Sequence, residues 1–331
     1  MREPAFWYRP PALMASLLAP VAAVYGAISG ARMQRPGASA GIPVVCVGNY
    51  HVGGAGKTPT VLALLDMLRA GGATPVVLSR GYGGQLAGPV QVDGARHTAS
   101  DVGDEPLMMA AHAPVVVARD RVAGAVLAKA SGASVIVMDD GFQNPSLRKD
   151  ISLAVIDSAR GLGNGCVFPA GPLRAPLEVQ LARTDVLIVI GDGSAANDVA
   201  VEVEARGGLV LRARIVPDAA SLAALRGHRV LAFAGIGDPE RFFATLRGHG
   251  IDVAATEIFP DHHPFTADEL ATLASRASSQ KLLLVTTEKD QARLRGMADL
   301  PPLAALKVGL QFEQYDRFAQ LVTARLAQAK A

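Results

Sequence analysis

Residues 48–59 of the chain read GNYHVGGAGKTP and stand between an apolar run at 43–47 and a helical pattern at 61–68. A strand, a glycine-rich turn and Gly-Lys-Thr at the start of a helix form the setting that a phosphate-binding loop requires. Glycines let successive backbone N–H groups approach phosphate oxygens, and the N-terminus of a helix favours negative charge. The stretch therefore predicts a nucleotide phosphate site.

Within this loop, Lys57 is expected to reach the β- and γ-phosphates and the Thr58 hydroxyl to hold Mg²⁺. His51 stands where the usual pattern has its first glycine, and we interpret the stretch as a variant loop. The alternative is a glycine-rich turn with a solvated lysine. The predicted nucleotide-binding residues are Val52, Gly53, Gly54, Ala55, Gly56, Lys57, Thr58 and Pro59.

Composition narrows the class of protein. Half of the 331 residues are hydrophobic and the formal net charge is only +2, which indicates a globular chain without a nucleic-acid footprint. Cys46 and Cys166 are far apart and lack metal-ligand spacing, so we expect a reducing, cytoplasmic compartment.

Strand patterns alternate with helical patterns along most of the chain, which predicts an α/β architecture with mainly parallel sheets. We expect an N-terminal helix in 1–35, a P-loop NTPase-like α/β/α sandwich in 36–215, and a smaller α/β domain in 216–331. Strand patterns at 199–203 and 209–213 predict a ribbon that links the two domains, after a strand at 184–190 that closes the first sheet.

The N-terminal segment has no charged residue between Arg9 and Arg32, and its bulky apolar residues recur at helical spacing opposite a row of small ones. Aromatic residues precede this helix, and arginines (Arg2, Arg9, Arg32 and Arg35) flank it. These features favour a helix on a membrane surface. A signal peptide is rejected because a nucleotide loop follows at once, while a spanning helix and a helix packed on the protein body stay open as alternatives.

Acidic residues follow two parts of the nucleotide domain. The apolar run 133–138 ends at Asp139-Asp140, the Walker B arrangement whose carboxylate binds Mg²⁺. Three acids at 101–105 precede a helix, where they either cap it or place Asp104 or Glu105 at the phosphate loop as a base or metal partner.

Further polar residues occupy turns after predicted strands. Arg80 follows the strand 75–79, and Arg174 ends the glycine- and proline-rich loop 161–174. His262 and His263 lie in a loop suited to acid–base chemistry, with a zinc site as the rival interpretation. The turn at 288–290 either contacts a nucleotide base or caps a helix.

Taken together and in this order, the motifs resemble the tetraacyldisaccharide 4'-kinases of the lipid A pathway of Gram-negative bacteria. The resemblance spans nearly the whole chain and includes the apolar N-terminal helix and the missing glycine at 51. The segments that carry it are 48–59, 79–83, 103–106, 139–143, 169–174, 259–263 and 286–290. Ala175 departs from the pattern, since the family often has an acid there.

The resemblance implies transfer of the γ-phosphoryl group of ATP to the 4'-hydroxyl of a lipid disaccharide 1-phosphate, with Mg²⁺, at the cytoplasmic face of the inner membrane. It implies Asp104 as the base with His262 hydrogen-bonded to it. We further expect a monomer that does not bind nucleic acid. Catalytic roles fall also to Lys57 and Asp139, metal contacts to Thr58, Asp139 and Asp140, a nucleotide contact to Lys289, and substrate contacts to Arg80, Asn144 and Arg174.

Two other functions stay in consideration. A P-loop switch or partitioning ATPase uses a similar loop, but such proteins often have a lysine where this chain has Val52. A soluble small-molecule kinase with a packed N-terminal helix is the second rival.

Overall fold

The computed structural model describes residues 3–10, 13–297 and 300–330. An apolar helix precedes two β-sheets that helices cover, which is the predicted α/β class. Arg2, one of the flanking arginines of the sequence analysis, lies outside the described residues.

The described strands are β1 (Val44–Gly48), β2 (Pro75–Ser79), β3 (Val90–Gln91), β4 (Val115–Val117), β5 (Val135–Asp139), β6 (Ile151–Asp157), β7 (Val186–Ile190), β8 (Leu209–Pro217), β9 (Arg229–Ala234), β10 (Asp252–Ile258), β11 (Leu283–Thr287), β12 (Leu303–Leu306) and β13 (Val308–Phe312). The first sheet has the order β13-β8-β7-β6-β1-β5-β2-β4-β3, and the second β10-β9-β11-β12. Neighbouring strands are parallel except at the two edges of the first sheet, where β13 meets β8 and β3 meets β4.

A short 3₁₀ helix, Ala5–Tyr8, comes first. The described α-helices are α1 (Leu13–Met33), α2 (Lys57–Ala70), α3 (Ala99–Val102), α4 (Asp104–Met109), α5 (Arg121–Ala130), α6 (Leu177–Leu181), α7 (Asn197–Ala205), α8 (Ala219–Leu225), α9 (Pro239–Gly248), α10 (Ala267–Ser279), α11 (Glu288–Leu294) and α12 (Tyr315–Lys330).

The first sheet is buried on both faces, as its continuous apolar strands require. Successive side chains of a strand point to opposite faces, so Val45 and Val47 of β1 join one core cluster while Val44 and Cys46 join the other. The first cluster includes residues of α2, α4 and α12, and the second includes residues of α5, α6 and α7.

The strand predicted at 199–203 is wrong, because these residues lie in α7. Val199, Ala200 and Val203 are buried while Val201 is 64% exposed, a spacing that puts the buried residues on one face of a helix. Five residues are too few to separate the helical period from the strand period. The ribbon instead consists of β8 and β13, so residues 184–190 do not close the sheet.

The chain is expected to divide at residue 215, but part of the segment after this residue belongs to the first sheet. β13 and α12 come from the C-terminal part of the chain, yet Phe312, Phe318 and Val322 belong to the core of the first sheet. By pairing with β8, β13 covers a strand edge that would otherwise be open to other chains. The second sheet, with its own two core clusters, is therefore inserted between β8 and β13.

Helix α1 packs through its small residues. A Cβ on Gly26 or Gly30 would lie 3.5–3.6 Å from Pro176, in ordinary contact with the protein body. Bulky residues on the other side (Leu13, Leu17, Val21, Val24 and Ile28) are 58–77% exposed. By length and composition alone, the helix is long and apolar enough to cross a membrane. Its most apolar stretch of 18 residues has a mean hydropathy of 1.7, and 22% of that stretch is buried in the protein.

Trp7 does not serve as the interfacial aromatic that the sequence pattern favours. It is 3% exposed, and its indole Nε1 donates to the Pro169 carbonyl at 3.1 Å. Its ring also meets Phe168 edge-on at a centroid distance of 6.1 Å. Burying a large ring with its N–H satisfied fixes the 3₁₀ segment on the loop 161–174.

Candidate active site

The carboxyl ends of neighbouring parallel strands meet at one edge of the first sheet. Since the strands are parallel, the loops that follow them leave from this edge, where ligands bind in open α/β sheets. The edge collects the phosphate loop after β1, the Asp139-Asp140 turn after β5 and Arg80 after β2. The paired residues are Val47 with Asp139, Leu78 with Met138, and Ser79 with Val117.

The phosphate loop is shaped by glycines and held by its neighbours. Gly53 and Gly56 have φ of +102° and +88°, a conformation that suits glycine. Asn49 Nδ2 donates to the Gly53 carbonyl at 3.1 Å, and the Val52 N–H donates to the Pro172 carbonyl at 2.8 Å. No described side chain caps the start of α2, so its first N–H groups are available to an anion.

His51 fits the loop without the glycine of the usual pattern. Its backbone forms an isolated β-bridge with Leu173, a conformation that any residue adopts. The imidazole is 1% exposed, with Nδ1 2.9 Å from the Val52 carbonyl, and burial lowers its pKa. A neutral histidine at this position leaves the glycine core of the loop intact.

Asp140 lies between two cations at the same edge. Its Oδ1 is 3.4 Å from Lys57 Nζ and 2.7 Å from Arg174 Nη1. Burial raises the pKa of the Asp140 carboxyl, but the charges of Lys57 and Arg174 outweigh this effect and lower it to about 2. Asp140 is therefore ionised at neutral pH and keeps both cations at the phosphate loop.

Asp139 lies in the opposite environment. Its side chain is buried at the end of β5 and accepts a hydrogen bond of 3.2 Å from Ser79 Oγ. Burial, together with the nearby carboxylates of Glu105 and Asp140, raises the pKa of Asp139 to about 7. Excess negative charge at this point favours a cation.

The donor set at this edge suits Mg²⁺. The Thr58 hydroxyl and the carboxylates of Asp139 and Asp140 offer the oxygen ligands that this ion prefers. The described part of the chain contains no group of three or more His, Cys, Asp or Glu side chains that could hold a metal by itself. A nucleotide site needs none, because phosphate oxygens and water complete the coordination.

A second group of polar side chains surrounds Asp104, the first residue of α4, whose side chain is 7% exposed. His262 Nδ1 lies 2.9 Å from Asp104 Oδ2, so the hydrogen bond that the family resemblance implies is present. Arg293 donates Nε and Nη2 to the same oxygen at 2.9 and 2.6 Å, and Lys289 Nζ is 3.7 Å away. All three partners follow strands of the second sheet, so this group joins the two sheets.

These partners keep Asp104 ionised. Burial by itself raises the pKa of the Asp104 carboxyl, but the hydrogen bond with His262 and the charges of Lys289 and Arg293 hold it well below its usual range. Asp104 Oδ1, in contrast, has a single described partner, the backbone N–H of Glu105 at 3.0 Å. Oδ1 is the oxygen with capacity to accept another proton.

Of the acidic residues at 101–105, one caps a helix and another contacts the second sheet. Asp101 forms a capping box with Thr98 at the start of α3. Asp104 instead makes the contacts with the second sheet described above.

Other predicted site residues are more dispersed. Lys289, expected at the nucleotide, contacts Glu105 at 3.2 Å and Asp104 in this structure. Asn144 closes a turn, since its Oδ1 accepts the Ser146 N–H at 2.8 Å. Arg80 is exposed at the edge of the first sheet.

The sequence analysis missed two buried arginines. Arg121 is 2% exposed at the start of α5. It lies close enough to Asp139 and Arg80 for their charges to shift its pKa, and its Nε has no partner among the described residues. A polar turn directly after the buried strand β4 is the signal that it offered. Arg293 stands four residues after Lys289, a spacing that puts both on one face of α11.

Comparisons with known proteins show to which family the chain belongs. The family described as tetraacyldisaccharide-1-P 4'-kinase matches residues 14–327. Proteins named tetraacyldisaccharide 4'-kinase from Rhodopseudomonas palustris (strain BisB5) and Bradyrhizobium diazoefficiens are each 64% identical to the chain, over 100% of it and 98% of their own lengths.

A solved structure extends the likeness to the fold. The "apo" form of LpxK from Aquifex aeolicus, crystallised in complex with ATP, superposes with a TM-score of 0.72 at 26% identity, over 95% of this chain and 100% of that one. The match favours the kinase over the switch or partitioning ATPase. On the family match and these relatives, the chain belongs to the tetraacyldisaccharide-1-phosphate 4'-kinase family.

Proposed function

We propose that the kinase reaction takes place where the carboxyl edges of the two sheets meet, with Asp104 as the general base. The activity of the family, phosphorylation of tetraacyldisaccharide 1-phosphate at its 4'-hydroxyl in lipid A biosynthesis, is the activity of this chain. The observation that carries the proposal is the bond between His262 and Asp104. It places an ionised carboxylate from the phosphate side in contact with the second sheet.

ATP is the phosphoryl donor, bound by the loop from Val52 to Pro59 with Lys57 on the β- and γ-phosphates. Lys57 now contacts Asp140, and an incoming phosphate offers it a second anionic partner. Thr58, Asp139 and Asp140 would hold Mg²⁺, which neutralises the phosphate charge that develops during transfer. We assign Lys289 as the nucleotide contact from the second sheet. It contacts Glu105, whose carboxylate also raises the pKa of Asp139 beside the phosphate loop.

Asp104 accepts the proton of the 4'-hydroxyl through Oδ1, while His262 holds the carboxylate through Oδ2. General base catalysis requires the acceptor atom within hydrogen-bond reach of the hydroxyl, and Oδ1 is the less engaged oxygen. Because His262 comes from the second sheet, approach of the two sheets is part of assembling this base.

Arginines at the first edge contact the anionic groups of the substrate and of the transition state. Arg174 is already held at the phosphate loop by Asp140, Arg121 lies near Asp139, and Arg80 lies near Arg121. Guanidinium groups match phosphate geometry and keep their charge, which suits this task. Asn144 is a further substrate contact in the turn after β5.

The exposed stripe of α1 binds the membrane in which the acylated substrate resides. Its face of small residues packs near the loop 161–174, which ends in Arg174, so one loop connects the membrane helix with the site. Arg9, Arg32 and Arg35 are exposed beside the helix, where anionic lipid headgroups attract them. We place the protein, as a monomer, at the cytoplasmic face of the inner membrane.

Transfer of label from γ-labelled ATP to the lipid disaccharide in detergent micelles tests this function. We expect labelled lipid product that requires both Mg²⁺ and the disaccharide 1-phosphate. Appearance of the label solely as free phosphate would contradict it.

A further inference from the structure

Arg293 is a buried cation that connects the second sheet to Asp104. Its side chain is 5% exposed. Nη1 donates to the Gly235 carbonyl at 2.7 Å and to Asp290 Oδ1 at 2.5 Å, while Nε and Nη2 both donate to Asp104 Oδ2. A planar guanidinium bonded on several sides has one orientation, so Arg293 presents a fixed pair of donors to Asp104.

The support behind Arg293 is itself fixed. Asp290 is fully buried and accepts the Gly235 N–H at 3.1 Å and the Thr287 hydroxyl at 2.7 Å. Gly235 follows β9 and Thr287 ends β11, two neighbouring strands. The position of the Arg293 guanidinium is thus set by the carboxyl edge of the second sheet.

We infer that Arg293 is a positioning residue for the base: it occupies Asp104 Oδ2 from two nitrogens and so presents Oδ1 to the acceptor hydroxyl. This inference rests on the proposed role of Asp104. His262 and Lys289 approach the same oxygen, Oδ2, and Arg293 is the partner that makes two bonds to it. Without Arg293 the carboxylate can rotate, and either oxygen can point away from the hydroxyl.

In this arrangement Asp104 is a weaker base, but its orientation is fixed. The positive charge of Arg293 favours the carboxylate over the acid and so lowers the pKa of Asp104, against the effect of burial. Removing that charge raises the pKa of Asp104 from well below its usual range, so at neutral pH the variant loses the orientation of the carboxylate and not its charge. The charged groups that contact Asp104 are His262 in the loop after β10 and Lys289 and Arg293 on α11. Three carboxylates contact these partners: Glu105 contacts Lys289, Asp290 contacts Arg293, and Asp261 contacts His262.

Three variants of the full chain test the role: Arg293→Met, Arg293→Lys and the control Arg295→Met, an exposed arginine on the same segment. The measurement is kcat and KM for ATP and for lipid at neutral pH. For Arg293→Met we expect kcat to fall by about 10- to 100-fold while KM for ATP stays close to the parental value, because the residue acts on the base and not on the nucleotide.

Arg293→Lys separates charge from orientation, because it keeps the charge and loses the paired donors. Its kcat is expected to fall nearly as far as that of Arg293→Met, with KM for ATP close to the parental value, and Arg295→Met should match the parent in both constants. If Arg293→Met does not fold, Arg293→Lys carries the test, and a parental kcat in that variant overturns the inference.

Asp104→Asn distinguishes this inference from the function on which it rests. Parental turnover in Asp104→Asn would show that Asp104 is not the general base. A strong loss in Asp104→Asn, combined with a parental kcat in Arg293→Met, leaves the base in place and overturns the positioning role. In the Asp104→Asn background, Arg293→Met should cost much less than it does alone.

Discussion

The phosphate side and the base side of the site are built in different ways. Lys57, Asp139 and Asp140 follow adjacent strands of the first sheet, and their contacts stay within that sheet and its loops. Asp104 belongs to the same half of the molecule, but its three charged partners all come from the second sheet. The first group is complete within one sheet, whereas the second exists only when two sheets approach.

Because of this difference, nucleotide binding and assembly of the base can be separated. Interactions within one sheet depend on strand register, which a rigid core fixes. Interactions between two sheets depend on their relative position, which hinge motions of μs–ms timescale change in many kinases. Mutations in the two groups should therefore affect different kinetic constants.

Loss of the base gives the largest expected effect. Asp104→Asn keeps the shape of the side chain but removes the proton acceptor, so kcat should fall by about 10²- to 10⁴-fold with little change in KM for ATP. Steady-state kinetics at saturating lipid measure this. Asp101→Asn, which alters a half-buried carboxylate in the capping box of α3, is the control.

His262→Ala in the Asp104→Asn background asks whether the two residues act as a pair. Their losses should be strongly non-additive, since His262 acts through Asp104. Fully additive losses would show that His262 and Asp104 act independently, and would contradict the proposed pair.

Lys57→Ala gives the next largest effect and tests the phosphate side. Removing a charged donor to the transferred phosphate should lower kcat by about 10²- to 10³-fold and also weaken nucleotide binding. Binding of a fluorescent nucleotide and turnover are measured together, with the exposed Lys129→Ala as control. Near-normal turnover would exclude the phosphate-loop assignment.

Replacing Leu17, Val21 and Ile28 of α1 by Ser should lower partition to anionic vesicles by roughly tenfold or more, since each loses apolar area from the bilayer. Thermal stability should change little, because the three side chains are exposed. Val126→Ser with Val201→Ser, equally exposed apolar residues elsewhere, is the matched control in a vesicle sedimentation assay. Unchanged partition would show that α1 merely packs on the body.

The smallest effect is on stability and follows from Asp139. Its pKa of about 7 in the folded protein lies above the ordinary value of about 3.9, so the native state binds more protons than the unfolded chain between these values. Stability then falls as pH rises from about 4 to about 7 and stays reduced above.

Asp139→Asn removes this cost, and in chelator its Tm should exceed the parental value by roughly 2–6 °C at pH 8 and by almost nothing near pH 4. Differential scanning calorimetry at both pH values checks the sign, with the exposed Asp198→Asn as control. A lower Tm at pH 8 would show that the buried carboxylate is stabilising.

Some parts of the structure follow from the chain alone because they are local. The strand, turn and helix around Gly53 and Lys57, and the acid at the end of β5, depend on residues adjacent in sequence. The short run at 199–203 shows where local reasoning ends, because an apolar alternation of five residues fits either a strand or a helix and packing decides.

The phosphate loop, the α/β class and the two-sided character of α1 follow from the chain alone, since each depends on the spacing of neighbouring residues. Tertiary packing returns β13 to the first sheet and brings Arg293 to Asp104 across 189 positions of the chain. It also decided that Asp139 and Asp140, adjacent in sequence, have pKa values displaced in opposite directions. Burial and charge at a point in space set these properties, and distant segments supply both.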